Sequence, residues 1–433
     1  MTVRLAYGKE RLPVELPEDI HVDVLEPRFV SGPADQVGAV RAALRQPIGS
    51  RPLRDLVRPG DRVGIVFSDI TRPTPYDVIL PAIFAELSHV PVENFVLFNA
   101  TGTHRANTPE ELERMLGPGV VGTYRIVQND CADSDSHVMV GTTRGGNDIW
   151  IHREFVECDI KIPTGFIEPH FFAGFSGGGK AIMPGLALLS TIQRNHSAGH
   201  MDDPNARWGI VRGNPLWEEV REAAGFTEPD FLLNVALNRK QQITAVFAGH
   251  FDEAHAAGCE YVREHAMAGV TDRYDVVITS NSGYPLDLNM YQAVKGMSAA
   301  RQVVKEGGDI IVAADCWDGI PDHGEYGKLL ASSSTPAELL AKIRTPGFAA
   351  QDMWQAQIHA AICEKVHVHF YSGNLTDEQI STAFMRPCRD IAERVRELSD
   401  SKRRAGNAPG VAGGETLRVC VLPEGPQTIP YVK

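Results

Sequence analysis

The feature that most constrains this chain is a series of short apolar runs, each ended by a polar cluster and followed by a helical pattern. RVGIVF (62–67) and FVLF (95–98) lie in the first half, DVVITS (275–280) and DIIVAA (309–314) in the second. Continuous apolar runs of strand length belong to strands covered on both faces, the condition of a parallel sheet. Helical periodicity separates them, over 77–89 and 108–116 in the first half and 335–344, 353–363 and 384–398 in the second. Thr108 and Pro109 supply an N-cap and a first helical position. The chain therefore reads as α/β twice over: two domains, each with a mostly parallel sheet flanked by helices. Its 433 residues exceed what one core ordinarily serves. The expected division is 1–267 and 272–400, with a Gly/Ala/Pro-rich linker at 401–414. The last segment, 415–433, carries strand 417–422 and is expected to return to the first domain. Residues 3–7 and 12–16 alternate around Gly8-Lys9 as an opening hairpin.

Charge and composition narrow the function. A net charge of −13, with no stripe of basic residues interleaved with aromatics, argues against nucleic acid as a partner. The basic cluster Lys402-Arg403-Arg404 falls in the expected linker and reads as solvated. No apolar run approaches membrane-spanning length, and the N-terminus has no signal-peptide core. Seven scattered cysteines, never CxxC, fit reduced thiols and a cytoplasmic location.

Polar clusters follow the strands at Asp69/Arg72, Thr103/His104/Arg105, Thr164/Gly165, Asn281/Ser282 and Asp315. In open α/β sheets ligands bind at the carboxyl ends of strands, so all five are expected to face one active site in the interdomain cleft. The densest chemistry lies in residues 165–200, GFIEPHFFAGFSGGGKAIMPGLALLSTIQRNHSAGH. Histidines handle protons and metals near neutral pH, and a glycine run lets the backbone approach an anion or a flat cofactor. GFSGGGK (174–180) matches the first part of a phosphate-binding P-loop, but Ala181 stands where the Mg²⁺-binding hydroxyl belongs. His196 and His200 share a helix face at i, i+4, a metal-ligand spacing, without the glutamate of a zinc protease.

Five separated motifs, SDITRPTP (68–75), TGTHR (101–105), EPHFFAGFSGGGKAIMPG (168–185), NH (195–196) and YQAVKG (291–296), give the chain a resemblance to the nickel-dependent lactate racemase family. Members racemise or epimerise 2-hydroxyacids with a nickel-pincer nucleotide (pyridinium-3,5-bisthiocarboxylate mononucleotide with Ni). The resemblance implies that Lys180 carries this cofactor covalently and that His196 is the metal ligand. His104 and His170 match the paired acid/base histidines. Asp69 and Arg72 match residues near cofactor and substrate, and Gln292 and Lys295 match residues that reach the substrate and cofactor. Tyr291 and Trp354 are placed by neighbourhood. Thr103, Ser176, Gly177 and Gly178 are expected at the cofactor, and His200 receives no role. The resemblance also implies a small 2-hydroxyacid substrate, dependence on the proteins that make the cofactor, and a monomer or homodimer.

The chemistry fits these residue types. Abstracting the C2 proton of a 2-hydroxyacid creates a doubly negative species, whereas removing that hydrogen as hydride leaves a planar 2-ketoacid. Each hand presents its hydroxyl in a different direction, so two histidines are needed. Arg72 and Lys295 are cationic groups suited to the carboxylate, and sulfur donors plus imidazole suit Ni(II). Two other readings use the same residues. One is a P-loop-like nucleotide hydrolase or kinase centred on Lys180; the other is a two-domain binding protein without catalysis.

Overall fold

The structure, a computed structural model, describes residues 1–322, 324–406 and 416–433. The chain divides into two units, Arg28–His265 on one side and Met1–Pro27 with Ala266–Lys433 on the other. The apolar runs form the central strands of each.

In the unit Arg28–His265, six strands lie in the order Ile243–Gly249, Leu232–Leu237, Ile160–Phe166, Val63–Ser68, Phe95–Ala100 and Arg125–Gln128. All neighbours are parallel except the first pair. Val63–Ser68 is central, and its residues 63–67 are fully covered, which accounts for the unbroken apolar run. Register then places the site: Ser68 pairs with Ala100 and Val66 with Pro163, so the chain leaves all three strands at one edge. The segment after Ser68 is fastened by side chains. Tyr76 Oη accepts from Ser68 N at 2.6 Å, and Asn107 Oδ1 accepts from Ile70 N at 3.1 Å. As expected, Thr108 caps its helix, in a full capping box with Glu111.

The other unit has an all-parallel sheet in the order Arg386–Pro387, His367–Tyr371, Val304–Ala313, Tyr274–Ser280, Arg418–Leu422 and His21–Val24. This corrects the division expected at 1–267. The hairpin Thr2–Tyr7/Glu10–Glu15 sends Val3, Leu5, Val14 and Leu16 into the same core as Val276, Ile278, Ile311 and Val419. Strand Arg418–Leu422 does not return to the first sheet; it pairs with Tyr274–Ser280. Sheet membership of chain termini is decided by long-range pairing, which leaves no trace in local periodicity.

The helix expected at 384–398 runs instead over Ile391–Gly406, with Ile391 and Val395 buried on the core face. It absorbs the first part of the expected linker 401–414; residues 407–414 lie outside the described residues. The basic cluster lies at the C-terminal end of this helix rather than in a linker, with Arg403 and Arg404 exposed in the last turn. Lys402 Nζ lies 2.6 Å from Asp275 Oδ2, and Arg403 pairs with Asp19. Cations there also complement the helix dipole. Among the described residues no helix is long and apolar enough to cross a membrane.

Leu5 is fully buried, so Leu5→Ala is expected to cost about 2–5 kcal/mol. Hydrogen exchange locates the effect: protection falls in strands 274–280 and 418–422 while 63–68 is unchanged. Loosening of 63–68 instead would place the N-terminal hairpin in the other unit.

Candidate active site

Because Ser68 and Ala100 are paired, the turns after them are neighbours, and His104 meets Asp69. The distance from His104 Nδ1 to Asp69 Oδ2 is 2.6 Å, with the imidazole side chain 30% exposed and the carboxyl 6%. Burial pushes the Asp69 carboxyl up, but the charge and hydrogen bond of His104, helped by Arg72 and Thr71, outweigh it and hold it below the ordinary carboxylate range. An ionised carboxylate only accepts, so Nδ1 carries the proton and Nε2 the lone pair of a neutral ring. Thr71 Oγ1 donates to the other carboxylate oxygen at 2.8 Å. Arg72 Nη1 is buried without a hydrogen-bond partner among the described residues, while the charge of the side chain acts on Asp69. Thr103 sits in the same turn, partly buried, while Arg105 is exposed and forks onto Glu111 at 2.7 and 2.8 Å.

Strand Ile160–Phe166 ends at the same edge and runs into a small hairpin, Pro169–His170 against Gly174–Phe175. His170 is buried, and its Nδ1 accepts from Ala173 N at 3.3 Å, so a neutral ring bears its proton on Nε2. The two histidines therefore hold opposite tautomers. Phe172, at the hairpin tip, joins the remaining candidates. Its ring lies 4.4 Å from the His170 ring and 5.1 Å from the His196 ring, both edge-to-face, and 5.4 Å from Lys180 Nζ. This hub was not anticipated, because aromatic pairs in a sequence usually signal core.

His196 follows the short helix Leu189–Asn195 and is buried. Its Nδ1 donates to Ile192 O at 3.0 Å, leaving Nε2 as the lone-pair nitrogen. Burial, then the Lys180 charge, pushes its pKa down to about 3, so the ring is neutral across the physiological range. A neutral imidazole with its other nitrogen fixed by a carbonyl is a ready metal ligand. Among the described residues no group of three or more His, Cys, Asp or Glu is placed to hold a metal. The donor chemistry fits a metal that arrives with ligands of its own. His200, without an assigned role, donates from Nδ1 to Asn195 O at 2.9 Å.

The glycine run departs from expectation. Gly177 and Gly178 have φ of +76° and +53°, and added Cβ atoms would meet Asn234 Oδ1 at 2.6 Å and the His255 ring at 2.7 Å. The glycines thus permit close packing inside the protein. Gly178 N donates to Asn234 Oδ1 at 2.8 Å, Lys180 N to Gly177 O at 3.1 Å, and His255 Nε2 to Ser176 O at 2.9 Å. Ser176 Oγ is likewise taken up, donating to Phe166 O at 3.0 Å and accepting from Glu168 N at 2.9 Å. A P-loop needs such N–H groups turned toward phosphate at the start of a helix. Here the loop enters only the 3₁₀ turn Gly178–Ala181, so the P-loop reading loses its basis. Asn234 and His255 were missed by sequence reasoning, although an asparagine inside the apolar run LLNVAL (232–237) is a usable signal.

In the other unit, Tyr291, Gln292 and Lys295 lie on the helix Met290–Arg301, with Gln292 buried and its N–H capped by Asn289. Trp354 is buried in the first turn of Met353–Lys365, and the next residue, Gln355, donates to Tyr291 O. In three of the five polar clusters the side chains are hydrogen-bonded within the protein. Thr164 Oγ1 donates to Val66 O at 2.7 Å, Ser282 Oγ to Glu424 O at 2.8 Å, and Asn281 Oδ1 accepts from Gly296 N at 3.1 Å. Asp315 accepts from Asn374 Nδ2 at 2.9 Å, and Gly8 of the N-terminal hairpin packs against its carboxylate.

Asp69→Asn is expected to lower stability by about 1.5–3 kcal/mol through loss of a charge-assisted hydrogen bond. Because the carboxyl is depressed in the folded state, that contribution is complete above about pH 4 and fades as pH falls further. Urea unfolding of both proteins from neutral pH to about 3.5 measures it. A difference that does not shrink on acidification contradicts an ionised, stabilising Asp69.

Comparison with known proteins gives the family. The family model for the lactate racemase N-terminal domain matches residues 7–209, and that for the lactate racemase C-terminal domain matches 270–425. Lactate racemase of Thermoanaerobacterium thermosaccharolyticum is 36% identical over 399 residues, 91% of this chain and 93% of the relative. Lactate racemase of Lactiplantibacillus plantarum is 35% identical over 430 residues, 98% of each. The lactate racemase apoprotein structure from T. thermosaccharolyticum superposes with a TM-score of 0.88 at 34% identity, covering 99% of this chain and 100% of that one. A Thermotoga maritima protein, at 18% identity and a TM-score of 0.70 over 94% of this chain and 100% of its own, shares the fold. Matched in both halves and at these identities along nearly its whole length, the chain belongs to the lactate racemase family.

Proposed function

We propose that this protein is a racemase or epimerase that inverts C2 of a 2-hydroxyacid of the lactate class. The observation that carries the reading is the 2.6 Å Asp69–His104 pair, with an Arg72 nitrogen that has no hydrogen-bond partner among the described residues, in a chain with lactate racemase relatives of near-equal length. Lys180 and His196 would hold a nickel-pincer nucleotide, His196 through Nε2 and Lys180 covalently through Nζ. Bound there, the cofactor supplies reversible uptake of the C2 hydrogen as hydride.

The protein's part is to bind, orient and move the hydroxyl proton. Arg72 pairs with the substrate carboxylate. For one enantiomer the hydroxyl proton passes to Nε2 of His104, and the Asp69 carboxylate stabilises the imidazolium that forms. For the opposite hand the hydroxyl faces His170. The buried Phe172 ring packs against His170, His196 and Lys180. Proteins that make the cofactor are the partners this reading requires.

The test is chiral analysis of products from single-enantiomer lactate and a panel of larger 2-hydroxyacids, with nickel content measured on the same cofactor-loaded protein. His104→Ala and His170→Ala are each expected to lower turnover about 10²–10⁴-fold in both directions. Lys180→Ala is expected to lose nickel on dialysis. Nickel-loaded protein that racemises no member of the panel, or a histidine variant with near-normal turnover, overturns the reading.

A further inference from the structure

One buried carboxylate plays no part in the chemistry above. Glu219, on the helix Pro215–Gly225, is 7% exposed. It accepts from Thr143 Oγ1 at 2.9 Å, Asn147 Nδ2 at 3.2 Å and Asn195 Nδ2 at 2.8 Å. All three partners are neutral, and all three donate, as an ionised carboxylate requires. Burying a carboxylate among neutral donors is costly, and a polar cluster at this depth needs a reason.

The reason lies in what the donors hold. Asn195 is the residue before His196, and it ends the helix Leu189–Asn195. Asn147 Nδ2 donates a second bond, 3.1 Å, to Thr191 O in the first turn of that helix. Glu219 thus reaches both ends, directly at Asn195 and through Asn147 at Thr191. A helix of seven residues does not hold itself in water, so tertiary anchors set its place. Its last turn presents Ile192 O, which receives the His196 Nδ1 proton and leaves Nε2 as the ligand nitrogen. Asn195 Oδ1 is buried with no partner, so the side chain is kept for its Nδ2 bonds to Glu219 and, at 3.3 Å, to Leu216 O.

We propose that Glu219 is a positioning residue for His196, acting through Asn195 and Asn147 to hold the short helix that fixes the His196 tautomer. The proposal rests on the reading of His196 as the metal ligand. Its first test needs no cofactor. Nitrogen NMR shifts of the His196 ring in the full-length apoprotein report which nitrogen carries the proton. The unsubstituted protein is expected in the Nδ1–H form, and Glu219→Gln in a mixture of both. Asn195→Ala, which cuts the link but keeps the carboxylate, is expected to do the same and serves if Glu219→Gln fails to fold. Thr143→Val removes one bond to Glu219 and the acceptor of Asn147 N at 3.1 Å, while the side-chain bonds of Asn195 and Asn147 to Glu219 and of Asn147 to the helix stay in place. It is expected to lower the melting temperature while leaving the His196 tautomer unchanged.

In cofactor-loaded protein, Glu219→Gln is expected to weaken nickel retention about 10–100-fold, as for other groups that orient a metal ligand. A wild-type tautomer and wild-type nickel retention in Glu219→Gln and Asn195→Ala overturn the proposal, as does an equal tautomer change in Thr143→Val. The tautomer shift without any racemisation by loaded wild-type protein leaves this proposal standing and removes the racemase reading instead.

Discussion

The site depends on one short contact, the hydrogen bond between Asp69 and His104. It joins the turns that follow two adjacent strands, and it exists because Ser68 and Ala100 are paired in a parallel register. A slip of that register would separate the carboxylate from the imidazole and turn neighbouring side chains to opposite faces. The contact also sets the chemistry. With the proton fixed on Nδ1, the second nitrogen of a neutral His104 ring carries the lone pair, and the Asp69 carboxylate lies behind it.

Around this pair the protein fixes its candidate groups from behind. His196 is held by a backbone carbonyl, His170 by a backbone N–H, and the loop before Lys180 by Asn234 and His255. Each ring is thereby given one tautomer in its neutral form. The glycine run shows a packing reason for a sequence motif. Its residues are glycines because other side chains need the space their Cβ atoms would fill.

Much of the fold could be read from the chain itself. Buried central strands on both sides of the midpoint declared themselves as unbroken apolar runs, and Thr108-Pro109 marked a helix start that the capping box confirms. Local patterning failed where distant segments combine. Nothing in residues 1–15 or 418–422 says which sheet they join, because either would bury the same apolar side chains. The candidate site divided in the same way. His104, His170, Lys180 and His196 were visible through their motifs, whereas Phe172, Asn234, His255 and Glu219 matter only through neighbours that folding brings to them. Asn281, Ser282 and Asp315 stand out in the sequence because they follow strands, and folding brings them hydrogen-bond partners at Gly296, Glu424 and Asn374.

The central claim is that the histidines of this protein handle only the hydroxyl proton while the C2 hydrogen leaves and returns as hydride. Racemisation of lactate deuterated at C2, run in ordinary water with cofactor-loaded enzyme, tests it most directly. The account predicts that product of inverted configuration retains its deuterium, because a hydride does not exchange with solvent. Inverted product that has lost its deuterium to water would show a histidine taking the C2 proton itself, and would contradict the account.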